Sequence, residues 1–337
     1  MSQENNLVGK KILVTGASGF LGSRTVAILS ELGCAVHALV RETSRIDHLR
    51  LPNVTIYRGN VAESESLETA FEGAEYVIHA AADTIGTEEA GRLSTIQGTA
   101  NILERCVAAK VQKLVYISSC SVYGIATYKE GQLVDEEAAL ESAPEQRGAY
   151  SWAKLEAERL VTRFMLQEET PAVCLRPGAI YGPGGPIYTP MMGFSFGNSI
   201  FAVIGNGDFD LPLVYIDNLV AAIIASLVNE NSNGQIYNVV DTDRVNKRRY
   251  MERLICRLYP RSMSFYIPFS LFYFLVLIQE KLFVAMHRKP LLSCYRLMAS
   301  QKPIVYDVTK ITRDLNWQTV VSFDEAAEKL IEFERKH

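Results

Sequence analysis

Short runs of aliphatic and β-branched residues recur along the first half of the chain: KKILVTG, AVHALV, VTIYRG, YVIHAA, KLVYISS and AVCLRPG. Between them stand stretches with apolar residues at helical spacing over 20–32, 62–72, 91–109 and 150–168. A strand covered on both faces reads as an unbroken apolar run, and helices between successive strands imply right-handed crossovers within one parallel sheet. The pattern predicts an α/β protein with a doubly wound, Rossmann-type parallel sheet over 8–176. After Arg176 the regularity stops, because GAIYGPGGPIYTPMMG is too rich in Gly and Pro for either period and reads as loop. A helix near 217–229 followed by IYNVV is expected to complete the sheet with 213–240. That leaves 177–212 and 241–337 for a smaller mixed C-terminal lobe that binds the substrate.

A chain of 337 residues, 48% hydrophobic and 21% charged, has material for a sizeable core and no bias toward disorder. Its net charge of −4 gives no reason to expect nucleic acid as a partner. The distribution is uneven: 244–302 holds twelve Lys and Arg against Glu252 and Glu280, a local +10 that leaves −14 for the remainder. Six cysteines without CxxC pairs, and a polar start leading straight into a strand, predict a reduced, cytoplasmic protein without a secretory signal. The histidines at 37, 48, 79, 287 and 337 lack metal-ligand spacing, so no metal is expected.

The first strand runs into Gly16-Ala-Ser-Gly19-Phe-Leu-Gly22 and then a helical stretch. Glycines there allow a tight turn and close approach of a pyrophosphate to the helix N-terminus, whose amides and dipole favour an anion. The second strand ends at Arg41, with Arg45 close by. An acid at that place would hold the adenosine ribose, whereas arginine suits a 2′-phosphate, so NADP(H) is favoured over NAD(H).

Tyr150 and Lys154 fall one turn apart on one helix face in YSWAK. A phenol is a poor acid–base group at neutral pH, but a neighbouring ammonium would lower its pKa and let Tyr150 exchange a proton with a substrate oxygen. Tyr306 and Lys310 match the spacing equally well, but stand far from the strand–helix repeat and read as structural. Ser118, Ser119 and Ser121, at the end of KLVYISS, compete to hold the reacting oxygen.

Together GASGFLG (16–22), HAAA (79–82), SSCSVYG (118–124), YSWAK (150–154), RPGAIYGPG (176–184) and VYIDN (214–218) resemble, over nearly the whole chain, the extended short-chain dehydrogenase/reductase family, also called the NAD-dependent epimerase/dehydratase family. The resemblance implies a catalytic triad of Ser119, counted back from Gly124, with Tyr150 and Lys154, and gives Lys154 a second role on the nicotinamide ribose. It implies cofactor contacts from Gly16, Ser18, Gly19, Phe20, Leu21, Gly22, Arg41, Asn60, Val61, Ala80, Ala81, Ala82, Pro177, Gly178 and Ile180. Substrate contacts would come from Asp83, Ser119, Cys120, Ser121 and Ala179. It also carries the expectation of a homodimer.

Members that act on nucleotide sugars usually have Asn where this chain has Ala179, and Arg before the VYIDN-like segment, where none stands here. Asn60 replaces a common Asp near the adenine, and Thr95 a common Asn. RPGAIYGPG, YIDN and the late apolar segment look most like the 3β-hydroxysteroid and sterol dehydrogenase branch. The leading expectation is therefore an oxidoreductase that interconverts a secondary alcohol and a ketone on an apolar, sterol-like or lipid-like small molecule. A nucleotide-sugar 4-epimerase or dehydratase, and a non-catalytic dinucleotide-binding regulator, are the alternatives.

Ser262–Gln279 carries no charge, yet its apolar core, 265–278, is short for a span and contains Pro268. Two readings stand. The segment 244–302 touches an anionic membrane surface, with Arg249, Arg253 and Arg257 on one helix face toward the headgroups; or the apolar stretch is a buried helix capping the substrate lobe.

Overall fold

Each of the six early runs forms a strand in the computed structural model, which describes residues 4–83, 87–167 and 170–336; His337 and Glu168, the last residue of one expected helix, lie outside them. The strands are β1 Lys11–Thr15, β2 Ala35–Val40, β3 Val54–Arg58, β4 Tyr76–His79, β5 Lys113–Ile117 and β6 Ala172–Pro177, and IYNV supplies β7, Ile236–Val239. All seven are parallel, in the spatial order β3-β2-β1-β4-β5-β6-β7. This is the doubly wound nucleotide-binding order with one strand added, and the winding reverses between β1 and β4.

Alternate residues of each central strand enter two different cores. Ile12, Val14, Val36, Ala38, Val115 and Ile117 face one side, under the helices Phe20–Glu31 and Ile216–Val228. Leu13, Leu39, Val77, Leu114 and Tyr116 face the other, under Gly98–Ala108 and Ala149–Gln167. Burial on both faces explains why these strands read as unbroken apolar runs. The helix expected over 91–109 holds a π-helical stretch, Gly91–Gln97, before its α-helical part, and Gly91 packs on Ala153 of the helix that carries Tyr150. Such a widened turn often marks a functional site.

Past Arg176 the strands are short. Ala179–Tyr181 pairs with Leu213–Tyr215, Asp210–Leu211 with Val245–Asn246, and Ile304–Tyr306 with Gln132–Val134. A three-stranded sheet joins Gly193–Phe196, Ile200–Ile204 and Met263–Ile267. This lobe shares its core with the nucleotide domain: one cluster of buried side chains runs from Ile12 and Val14 to Phe201, Tyr250 and Phe323. The VYIDN segment serves the same joint. Asn218 Oδ1 accepts the Val320 and Val321 amides, its Nδ2 donates to Asp241, and Arg24 is ion-paired to Asp217 at 2.6 Å.

Two details of 244–302 are corrected, the headgroup role of its arginines and the burial of its apolar stretch. Arg249, Arg253 and Arg257 do share a face, but that face meets the C-terminal helix Phe323–Lys336. Arg249 and Arg253 donate to Asp324 at 3.0 and 2.9 Å, and Arg257 is paired with Glu328. Acids at the same one-turn spacing neutralise them, so they are not free for headgroups. Nor is the apolar stretch a buried cap. It divides at Pro268 into the strand Met263–Ile267 and the helix Phe269–Ala285, of which only Phe272 and Val276 are buried. Among the described residues no helix is long and apolar enough to cross a membrane.

Candidate active site

β1 delivers the chain at Thr15 into a turn that only glycine fits. Gly16 has φ +68°, and a β-carbon on it would lie 2.9 Å from the Ala81 backbone; one on Gly22 would sit on the Gly16 carbonyl oxygen. Gly19 precedes the helix Phe20–Glu31 and no side chain caps that helix, so its first-turn amides remain open to an anion. Phe20 packs on Gly185 of the loop after β6. Thr15 Oγ1 accepts the Ala81 amide at 3.2 Å and meets His79 Nδ1 at 2.7 Å, while His79 Nε2 meets Thr99 Oγ1 at 3.1 Å. Because the Thr99 hydroxyl donates to the Thr95 carbonyl, it accepts from His79, which makes Nε2 the protonated nitrogen. Burial first, and the Lys154 charge second, push the His79 pKa down to about 3. His79 is a neutral structural link between β1 and β4, and Ala80, Ala81 and Ala82 follow it along the loop edge.

At the carboxyl end of the neighbouring β2, Arg41 and Arg45 are exposed, and Arg41 stands where an acid would end the strand. Arg58, at the end of β3, donates to the Arg41 and Glu42 carbonyls, both at 2.8 Å, and so shapes this loop. Ser18 Oγ donates to Ser44 Oγ at 3.0 Å, tying the glycine loop to it. Asn60 is spent locally: its Oδ1 accepts the Ala62 amide at 3.1 Å and its Nδ2 donates to Glu63 at 2.8 Å. Val61, expected beside it, instead offers its carbonyl to Asn101 at 2.8 Å. The open amides and the close glycines fit the pyrophosphate of a dinucleotide.

The three serines after β5 separate by their partners. The Ser118 hydroxyl donates to buried Glu158 and is committed there. Ser119 Oγ accepts the Ser121 amide at 3.1 Å, and its hydroxyl acts on the Tyr150 phenol to lower its pKa. Ser121 Oγ is buried without a partner. Cys120, expected to touch substrate, turns inward and donates to the Arg176 carbonyl at 3.2 Å. Asp83 and Ala179 are partly exposed; the Asp83 amide donates to Thr95 Oγ1 at 3.0 Å and the Ala179 amide to Pro212 O at 2.7 Å. Pro177 ends β6 buried, Gly178 leaves no room for a β-carbon against Pro212, and Ile180 is half-buried in the next strand.

A family model for the NAD dependent epimerase/dehydratase family matches residues 12–239, from β1 to the end of β7. The chain belongs to that family. Among relatives, it is 26% identical to the 3beta-hydroxysteroid-dehydrogenase/decarboxylase isoform 1 of Arabidopsis thaliana, over 95% of this chain and 78% of that one. It is 28% identical to the 2-alkyl-3-oxoalkanoate reductase of Stenotrophomonas maltophilia, over 95% and 98%. Among solved structures, an epimerase of Methanothermobacter thermautotrophicus superposes with a TM-score of 0.78 at 20% identity, covering 100% of this chain and 95% of that one.

In this family member, Tyr150 and Lys154 do not stand as their spacing suggests. Burial holds the Tyr150 phenol above its ordinary pKa, against the lowering pull of the Ser119 hydrogen bond, and Lys154 does not offset it. Lys154 Nζ donates instead to the Ile117 carbonyl at 2.6 Å and lies over the Tyr116 ring, and burial pushes its own pKa down to about 8. The two groups share a helix face, with the ammonium drawn to the β5 carbonyl.

The next turn of that helix carries a residue the sequence reading missed. Glu158 continues the face of Tyr150 and Lys154 at four-residue spacing and forms a buried ion pair with Arg176, whose Nη2 lies 2.6 Å from Oε1. Arg176 Nη1 also donates to the Tyr123 hydroxyl at 2.8 Å and to the Glu136 carbonyl at 3.0 Å, and Tyr123 donates to Asn238 of β7 at 2.6 Å. This network locks the loop 118–123 against β6 and β7. Tyr306, distant in sequence, packs on Tyr123 with ring centroids 5.8 Å apart. It is structural, but it borders the site.

Proposed function

We propose that this protein is an NADP(H)-dependent oxidoreductase that interconverts a secondary alcohol and a ketone on an apolar, sterol-like or lipid-like small molecule. The carrying observation is that Ser119 follows β5 at the carboxyl edge of the sheet while Tyr150 and Lys154 stand one turn apart on the helix Ala149–Gln167, with Lys154 donating to the Ile117 carbonyl of β5. The names of the Arabidopsis and Stenotrophomonas relatives support a hydroxyl or ketone on a carbon framework. Ala179, in place of a side-chain amide, speaks against a nucleotide sugar.

Bound nicotinamide supplies or accepts the hydride. Tyr150 then delivers a proton to the carbonyl oxygen in the reductive direction, or takes it from the hydroxyl in the reverse one. Ser119 holds that oxygen by a second hydrogen bond, and Ser121, with its free hydroxyl, adds a polar contact. Lys154 restores the charge balance as the phenol loses its proton. Arg41 and Arg45 pair with the 2′-phosphate, on a loop that Arg58 holds in place. A homodimer would use the groove of about 600 Å³ between the two helices of one sheet face, lined by Leu103, Val107, Leu160 and Phe164.

Thermal-shift titration with NADP⁺, NADPH, NAD⁺ and NADH, beside an absorbance scan of the purified protein, tests the reading. Cofactor-free protein stabilised most by NADPH is the expected result, with the preference reversed in Arg41→Glu. Tightly held NAD surviving purification would overturn it in favour of the epimerase chemistry.

A further inference from the structure

The three-stranded sheet of the C-terminal lobe has two unlike faces. Phe201 of the middle strand points inward and stacks on Tyr259 with ring centroids 5.7 Å apart. The register sets Phe194 and Phe265 on either side of Ala202, and Phe196 and Met263 on either side of Ile200, so these four side chains share the opposite face. All four are exposed, Phe196 and Met263 each to 65%. A half-solvated sheet normally shows polar residues on its outer face.

The helix Phe269–Ala285 continues the same surface. Phe272 contacts the Phe194 ring at 5.4 Å, and Phe272 and Val276 anchor the helix to the lobe. Leu271, Phe274, Leu275, Ile278 and Leu282 form a regular stripe turned away from it, with Phe274 and Leu282 each 57% exposed. Neither 183–207 nor 262–279, which build most of this surface, contains a charged residue. The helix has 17 residues, about 25 Å at 1.5 Å per residue, and lies along the lobe. A contiguous apolar surface of this kind, on sheet and helix together, marks an interaction site.

Its flanking charges have one sign. Arg261 precedes the sheet strand, Lys281 ends the helical stripe and Arg288 follows it, all three exposed. The acid on the helix itself is engaged elsewhere: Glu280 accepts the Cys294 amide at 2.9 Å. A second copy seated symmetrically on this face would bring cation against cation. An anionic bilayer complements both its apolar centre and its cationic rim. We propose that the outer faces of the sheet Phe194–Met263 and of the helix Phe269–Ala285 form a monotopic membrane-docking surface that lies in the headgroup and acyl boundary of an anionic leaflet.

The test is co-sedimentation of the full chain with vesicles of phosphatidylcholine alone, or of phosphatidylcholine and phosphatidylserine, read without turnover and so independently of the proposed reaction. Binding to the mixed vesicles is expected. A cation near such a surface is worth about fivefold in partitioning, so Arg261→Gln/Lys281→Gln/Arg288→Gln should weaken binding by about a hundredfold. Phe274→Glu/Ile278→Glu, at positions that touch solvent and not the core, should abolish it with the melting temperature unchanged. Wild-type protein left in the supernatant with both vesicles would overturn the proposal. So would binding undiminished in either variant, or equal binding to the neutral vesicles. A wild-type oligomer that Phe274→Glu/Ile278→Glu dissociates would assign the face to a second copy instead.

Discussion

Replacing Glu158 by glutamine keeps the size of the side chain and removes the charge that neutralises Arg176 at the centre of the molecule. Both members of the pair are 2% exposed, and Glu158 also receives the Ser118 hydroxyl. Burial pulls the Arg176 pKa down, yet the Glu158 charge and hydrogen bonds more than offset it and leave the guanidinium above its ordinary value. The glutamine variant would therefore hold a charged, uncompensated guanidinium, a loss of about 3–5 kcal/mol for a broken buried pair. Unfolding entropy near ~2.1 cal/mol/K per residue gives about 0.7 kcal/mol/K for this chain, so the melting temperature should fall by about 4–7 °C. Differential scanning calorimetry of the cofactor-free protein at neutral pH measures it. The double variant Glu158→Leu/Arg176→Met should lose less than the sum of its single changes, because neither charge is left stranded. It will not reach wild-type stability, since Tyr123 and the Glu136 carbonyl still lose their Arg176 partner. A drop of less than about 1.5 °C in Glu158→Gln, roughly 1 kcal/mol by the same conversion, would show that the pair does not lock the site loop.

Gly22→Ala puts a β-carbon onto the Gly16 carbonyl and should erase the thermal shift given by every dinucleotide, while calorimetry shows a folded protein; retention of the shift would place the phosphates elsewhere. Tyr150→Phe should lower turnover by about 10²–10⁴-fold with dinucleotide affinity changed little, as measured by hydride-transfer absorbance and by titration. His79 is held neutral, its folded pKa near 3 lying below its ordinary 6.5. Its stabilising contribution is present above about pH 6.5 and is lost as the pH falls toward 3, amounting to about 2 kcal/mol by pH 5. Melting curves at pH 7 and 5 should therefore differ less in His79→Asn than in the wild type, and an equal difference in both would refute the assignment.

What the chain reveals locally, and what it withholds, follows from where each group's partners lie. The seven-stranded sheet is legible because its central strands are covered on both faces and joined by helices, so each unit announces itself within about thirty residues. The C-terminal lobe is not, because its strands are short and some pair across the chain, as Ile304–Tyr306 does with Gln132–Val134. No period in either segment predicts the other, and so Tyr306 reads as remote although it packs beside the active-site loop. Spacing alone states which side chains share a face. It places Arg249, Arg253 and Arg257 together correctly, but their occupant is Asp324 and Glu328, some seventy residues on.

The same limit governs the chemistry. Tyr150, Lys154 and Glu158 follow one another at four-residue spacing, so the reading that found the first two could have found the third. Their protonation depends on what each meets: Ser119 for the phenol, the Ile117 carbonyl for the ammonium, Arg176 for the carboxylate. Burial favours the protonated phenol, and the ammonium, its pKa pushed down to about 8 by burial, donates to the Ile117 carbonyl. A proton donor held protonated until substrate arrives suits the reductive direction. The oxidative direction must first bring Lys154 to bear on Tyr150. A rate that is flat in reduction up to pH 8, beside one that climbs with pH in oxidation, would express that difference; parallel profiles would mean that the two groups act as partners from the start.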